Sequence, residues 1–261
     1  MSSGAKQVLR AAATKAYETD KHRLLVLGGN GFVGSNILQR AVQKGIAVRS
    51  LNRTGKPQWQ DVPWIEHVEW QQGDVFDGDD LSKAVEGITG VISTIGAFGD
   101  NDFMQKMCGD ATIAAVQAAK KGGVERFVFV SNSRVGSCIP TWAPLYGYYN
   151  GKERAEKAVR ESFPDTGVSL RPGFVYGWRR QGTYSIPLQL VGAPIAFVAR
   201  DLKVVSSIVS RVPFFGHEME SSVPVAAVAK AAVLSAMGSA GAPILDPRGI
   251  ISLADSFHET F

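Results

Sequence analysis

The chain has 261 residues, 45% of them apolar and 20% charged, which is enough for one large α/β domain with a well-buried core. Its net charge of +4 comes from interspersed basic and acidic residues, with no basic stripe between aromatics, so nucleic-acid binding has no support. No apolar run reaches the roughly eighteen residues of a membrane span. Cys108 and Cys138 form neither a metal spacing nor a disulfide framework, and His67, His217 and His258 have no partners at metal spacing, so no bound metal is expected.

In chain order, Met1 to Tyr17 carries Lys6, Arg10 and Lys15 among Ser, Thr and Ala, with no acid before Glu18. That composition fits a basic extension over residues 1–22, either an organelle transit segment or its remnant, and equally a solvated helix. Arg23–Gly28 is a short apolar run ending in glycines, as a buried parallel strand does. Phe32, Val33, Ile37, Leu38, Ala41 and Val42 then recur at helical spacing, and Gly45 closes that helix. Ile46–Leu51 predicts a second strand, and Val68–Gln71, Val91–Ile95, Arg126–Ser131 and Val168–Arg171 predict four more. Helices are expected at Leu81–Glu86, Met104–Lys121 and Tyr148–Ser162. Strand and helix in repeated alternation imply parallel strands joined by crossovers, hence an α/β doubly wound parallel sheet.

The chemistry begins at Gly28, Gly29, Asn30, Gly31, Phe32, Val33 and Gly34. A pyrophosphate needs backbone N–H groups and a helix N-terminus with no side chain in the way, and glycines at this spacing supply both. The triplet follows a predicted strand and opens a predicted helix, which lifts it above a chance glycine-rich turn. A dinucleotide is therefore the expected ligand. The carboxylate that accepts an NAD ribose about 20 residues later is missing, because no acid occurs between Lys21 and Gln60. Asn52 stands where it is expected, followed by Arg53, with Arg49 or Lys56 in reach to assist with a 2′-phosphate. NADP(H) is favoured over NAD(H), although Asn52 could still bond an unphosphorylated ribose. Asp74 and Val75 follow the third strand and would line the adenine pocket, while Asp in such a position is as commonly a turn or capping residue. Gly96 ends the fourth strand on the same edge.

Tyr148 and Lys152 are four apart and share one face of a helix. A lysine beside a phenol lowers the phenol's pKa and suits it to exchange a proton with a carbonyl or alcohol. Ser133, then Ser131, could orient the substrate oxygen, and spacing alone leaves Tyr149 open. The pair by itself is also the ordinary content of a helix surface.

Together these motifs resemble the atypical and extended short-chain dehydrogenase/reductase superfamily, from about Leu24 to Ala232. The resemblance rests on the glycine loop, Gly73-Asp74-Val75, Arg126–Ser131, the Tyr148–Lys152 pair and Leu170–Gly177. Within that superfamily the chain most resembles organellar members, which include plastid plastoglobule-associated proteins, the mitochondrial coenzyme Q assembly dehydrogenase, and the NADPH-binding accessory subunit of complex I. The resemblance implies a Rossmann-type fold, Tyr148 as acid/base, Lys152 as its partner and ribose contact, and Pro172-Gly173 as a backbone wall beside the nicotinamide. It implies an NADP(H)-dependent oxidoreductase acting on a small apolar carbonyl or quinone-related compound. The alternative is a nucleotide-bound assembly subunit of a membrane complex, without turnover. An organellar location follows, the mitochondrion ahead of the plastid. Asn132 between the two serines departs from the superfamily's usual Ser-Ser or Ser-Thr. Residues 23–261 read as one NAD(P)-binding domain, with a lid mainly over 178–222. There, Tyr184 to Phe215 is apolar and mostly basic, which suits a greasy pocket, a membrane contact or a lid packed on the core. The tail after Gly241 carries no recognisable chemistry.

Overall fold

A computed structural model of the chain describes residues 21–57, 62–181, 184–187 and 221–257. The expected N-terminal extension and most of the expected lid lie outside the described residues. The strands are β1 (Arg23–Leu27), β2 (Ala47–Asn52), β3 (Val68–Gln72), β4 (Gly90–Ser93), β5 (Arg126–Val130), β6 (Gly167–Leu170), β7 (Val175–Tyr176), β8 (Trp178–Gln181), β9 (Tyr184–Pro187), β10 (Val223–Pro224) and β11 (Ile244–Leu245). The helices are α1 (Phe32–Gln43), α2 (Gly78–Val85), α3 (Asn101–Gln105), α4 (Ala111–Lys121), α5 (Tyr146–Ser162), α6 (Val225–Ala236) and α7 (Pro247–Asp255).

Seven strands form one parallel sheet in the order β11-β6-β5-β4-β1-β2-β3. The six apolar runs of the sequence occupy it within one or two residues of their expected ends. Both sheet faces are covered, and this is why β1 reads as an unbroken apolar run. Leu24 and Val26 join the core under α1, α6 and α7, while Leu25 and Leu27 join the core under α2, α4 and α5. Phe127 and Phe129 are wholly buried in the second core. Each side chain of that size contributes about 1.5–3 kcal/mol on burial.

Two features differ from expectation. The tail after Gly241 supplies the edge strand β11 and the helix α7, which Asp246 caps by accepting the Gly249 N–H at 2.7 Å, with Pro247 in the first turn. The expected helix Met104–Lys121 is interrupted by a π turn over Lys106–Asp110. There Gly109 meets Gly151 of α5 so closely that an added Cβ would sit 3.0 Å from the Gly151 Cα.

Candidate dinucleotide site

The strand order reverses between β1 and β4, and ligands of doubly wound sheets bind beyond the C-terminal strand ends at that switch. Most of the candidate site residues follow strand ends at this edge, whereas Arg49 lies within β2 and turns away from it, to Glu69 and the C-terminal end of α2. β1 leads into Gly28–Gly34, β2 into Arg53, β3 into Asp74, β4 into Gly96, β5 into Ser131–Ser133 and β6 into Pro172-Gly173.

The glycines are not interchangeable. Gly28 has φ +84, a conformation costly for any side chain. A Cβ on Gly34 would lie 2.8 Å from the Gly28 carbonyl carbon and 2.9 Å from the Gly29 Cα, so this glycine lets α1 press against the turn. A Cβ on Gly29 would lie 2.7 Å from Leu38 Cδ1 and strike Ser50. At Gly31 the single neighbour within 4 Å would be the Gly28 oxygen, at 3.1 Å. Gly31 is also the cap of α1, and neither a side-chain cap nor an acid in the first turn answers the helix's N-terminal N–H groups. A cradle closed by backbone and open over Gly31 fits an anionic pyrophosphate. Phe32 lies 3.6 Å from the position of a Cβ on Gly177, and Val33 packs on the first core.

A hydrogen-bond chain holds the loop. Asn52 is buried; its Oδ1 accepts the Asn30 backbone N–H at 3.1 Å, and its Nδ2 donates to Ser50 Oγ at 2.9 Å. The Ser50 hydroxyl in turn donates to the Val26 carbonyl at 3.2 Å. Asn52 thus occupies the place of the missing carboxylate but is turned inward. Asn30 Nδ2 donates to Thr54 Oγ1 at 2.9 Å and to the Gly55 carbonyl at 3.1 Å, while its Oδ1 is buried without a partner. Thr94 Oγ1 donates to the Leu27 carbonyl at 2.9 Å, tying β4 to the same turn. Of the three cations expected near a 2′-phosphate, two are engaged elsewhere. Arg49 is buried, with Nε 2.9 Å from Glu69 Oε1 and Nη1 donating to the carbonyls of Lys83, Ala84 and Glu86. Lys56 pairs with Glu66 at 2.7 Å. Arg53 is exposed. The Asp74 carboxylate accepts the Phe76 N–H at 3.0 Å, the turn role of its two readings, and Val75 packs on the second core.

Across the switch point, α5 enters through Leu145 at φ +69, the one non-glycine with positive φ among the described residues. Asn101 Oδ1 accepts the Gly147 N–H at 2.9 Å and fixes that first turn. Tyr148 is half-buried, its ring stacked on exposed Phe98 with centroids 5.2 Å apart and edge-on to buried Tyr149. Lys152 Nζ lies 5.4 Å from the Tyr148 ring centroid and donates to the Val130 carbonyl at 2.8 Å. Burial pushes the Lys152 ammonium below the ordinary lysine value, and the nearby Cys108 and Glu156 oppose this. A Cβ on Gly96 would lie 3.8 Å from both Lys152 Nζ and Cys108 Sγ. The structure therefore brings Tyr148, Lys152 and Gly96 together.

Ser131 Oγ and Ser133 Oγ are buried without partners, whereas Asn132 Oδ1 is occupied by the Arg134 N–H at 2.9 Å. The Ser133 N–H donates to the Pro172 carbonyl at 2.9 Å, so β5 and the Pro172-Gly173 wall are joined directly. A Cβ on Gly173 would lie 2.6 Å from Ser221 Cβ. Sequence reasoning missed Thr94, the Asn30 clasp, Phe98, Asn101 and the Glu156–Arg171 ion pair. The pair alone left a trace, because Glu156 follows Lys152 by one turn and Arg171 precedes Pro172.

A doubly wound sheet with a glycine cradle on one side of its switch point and a Tyr–Lys helix on the other defines a dinucleotide-binding domain. The sequence profile described as NAD(P)H-binding matches residues 28–189. The chain belongs to that family and is a protein of the atypical short-chain dehydrogenase/reductase type. It is 41% identical over 178 residues to an uncharacterized chloroplastic protein of Arabidopsis thaliana, covering 68% of this chain and 59% of that protein. It is 32% identical over 183 residues to a 3-beta-hydroxysteroid dehydrogenase of Mycolicibacterium neoaurum, covering 61% and 49%. It is 31% identical over 166 residues to the photosystem II assembly factor Ycf39 of Trieres chinensis, covering 63% and 49%. The chain thus matches only half to three fifths of the length of these relatives.

Proposed function

We propose that this protein is an NADP(H)-dependent oxidoreductase acting on a small apolar carbonyl or quinone-related compound. The observation that carries the reading is the Tyr148–Lys152 pair at the sheet edge, across the switch point from the glycine cradle. When bound, the nicotinamide supplies or accepts the hydride. Tyr148 moves the proton at the substrate oxygen, with the Lys152 ammonium beside its ring favouring the phenolate. Ser133, with an unengaged buried hydroxyl, orients that oxygen. Preference for the 2′-phosphorylated cofactor is supported by the inward-turned Asn52 and the exposed Arg53, which follows it. Residues 23–261 act as one domain, with 178–222 as the substrate lid. An organellar location is supported by the acid-poor N-terminus and by the chloroplastic relative.

A second reading, a nucleotide-bound assembly subunit without turnover, is favoured by the relative named an assembly factor. No helix among the described residues is long and apolar enough to cross a membrane, so contact with a membrane complex would be peripheral in those parts. Titration with NADPH and NADH by nicotinamide fluorescence, followed by a panel of quinones and carbonyls, separates the two. Substrate-dependent oxidation establishes the enzyme. Tight binding with no oxidation across the panel selects the subunit.

A further inference from the structure

We infer that Glu156 and Arg171 are positioning residues for the nicotinamide half of the site. Their bidentate pair fixes the separation between the Tyr148–Lys152 helix and the Pro172-Gly173 backbone. The inference rests on the cofactor reading above.

The Glu156 side chain is 4% exposed, on α5, one turn beyond Lys152. Both of its oxygens are engaged: Arg171 Nε donates to Oε1 at 2.9 Å and to Oε2 at 3.2 Å, and Nη2 donates to Oε2 at 2.6 Å. Arg171 is itself anchored, because its backbone N–H donates to the Leu245 carbonyl of β11 at 2.8 Å. The next two residues are held on other sides, Pro172 by the Ser133 N–H and Gly173 by its own N–H donated to the Ser221 carbonyl at 3.1 Å. One brace therefore joins the Tyr–Lys helix, the β5 end and the β6 exit. None of its bonds involves Gly28–Gly34 or the Asn52–Gly55 turn that would hold the adenosine half.

Stability alone is a weak reason for burying such a pair, since apolar side chains of similar volume often serve as well. What an apolar pair lacks is direction. The guanidinium fork meets a carboxylate in one plane at one distance, so it sets where α5 stands relative to residues 172–173. Neither an amide with a thioether nor a lysine reproduces that fork.

The test uses the full chain and two ligands, NADPH and adenosine 2′,5′-bisphosphate, which carries only the adenosine half. The double variant Glu156→Gln/Arg171→Met removes both charges of the pair at once but also the Glu156 charge that favours the Lys152 ammonium, a charge that the single variant Arg171→Lys keeps. NADPH affinity should fall about tenfold in the double variant, while the bisphosphate Kd stays within about twofold. Arg171→Lys, which keeps the charge but loses the fork, should show the same split. A double variant that keeps both affinities shows simple charge compensation and overturns the inference. So does an equal loss for both ligands, or full NADPH affinity in Arg171→Lys. If the wild type binds neither ligand, the cofactor reading fails first and takes this inference with it.

Discussion

Placing a single methyl group at residue 34 tests the packing that shapes the phosphate cradle. The added Cβ would stand 2.8 Å from the Gly28 carbonyl carbon and 2.9 Å from the Gly29 Cα. Ordinary contact between carbons is about 3.5–4.0 Å, so either the turn or α1 must retreat by roughly 0.7 Å or more. The atoms met are backbone, which cannot swing aside. Overpacking against backbone this close belongs in the upper part of the usual range, about 2–3 kcal/mol, and the better helix propensity of alanine offsets about 1 kcal/mol. Gly34→Ala should therefore lose about 1–2 kcal/mol, and in a domain of this size Tm should drop by about 2–8 °C. NADPH affinity should fall with it, because the displaced turn carries the N–H groups. Gly31→Ala separates the two effects. Its Cβ meets only the Gly28 oxygen at 3.1 Å, so Tm should change little while NADPH binding falls about tenfold or more. Gly78→Ala, where nothing lies within 4 Å, is the control and should be neutral or stabilising by up to about 1 kcal/mol. Thermal unfolding and fluorescence titration of the three variants provide the measurements. A Gly34→Ala protein that melts and binds like the wild type would refute the packing argument.

Tyr148→Phe should abolish any hydride transfer while leaving NADPH affinity nearly intact, and unchanged turnover would remove Tyr148 from the mechanism. Arg53→Ala should weaken NADPH far more than NADH; equal losses by titration would sink the 2′-phosphate assignment. Arg49→Ala should instead lower Tm through lost bonds to Glu69 and the α2 carbonyls, with the NADPH-to-NADH ratio unchanged. The last prediction concerns pH. Lys152 lies below the ordinary lysine value of 10.5 because of burial, so the unfolded chain holds more protons between the folded value and 10.5. Stability contributed at this site therefore rises with pH across that window and is lowest beneath it. Lys152→Met removes the penalty, so its stability advantage over the wild type should shrink as pH climbs towards 10.5. A difference in unfolding free energy that stays constant with pH contradicts the buried-ammonium argument.

The glycine loop, the six apolar strands and the Tyr148–Lys152 spacing were legible in the sequence because each is local. A parallel strand buried on both faces reads as an apolar run, and residues four apart on a helix share a face. The seventh strand was not, because Ile244–Leu245 is too short to carry a period of its own and exists only by pairing with β6. Its helix was announced by Asp246-Pro247, a cap signal at the very start of α7. Composition alone could not divide three nearby cations. Arg49 faces Glu69 and the end of α2, Lys56 faces Glu66, and Arg53 faces solvent. Which one is available depends on strands and helices that are distant along the chain. The Glu156–Arg171 brace, the inward turn of Asn52 and the unpartnered serine hydroxyls have the same origin. Sequence determines which groups a local segment can offer, whereas long-range packing decides which of them are already engaged, because a buried polar group takes whatever partner the fold brings within about 3 Å.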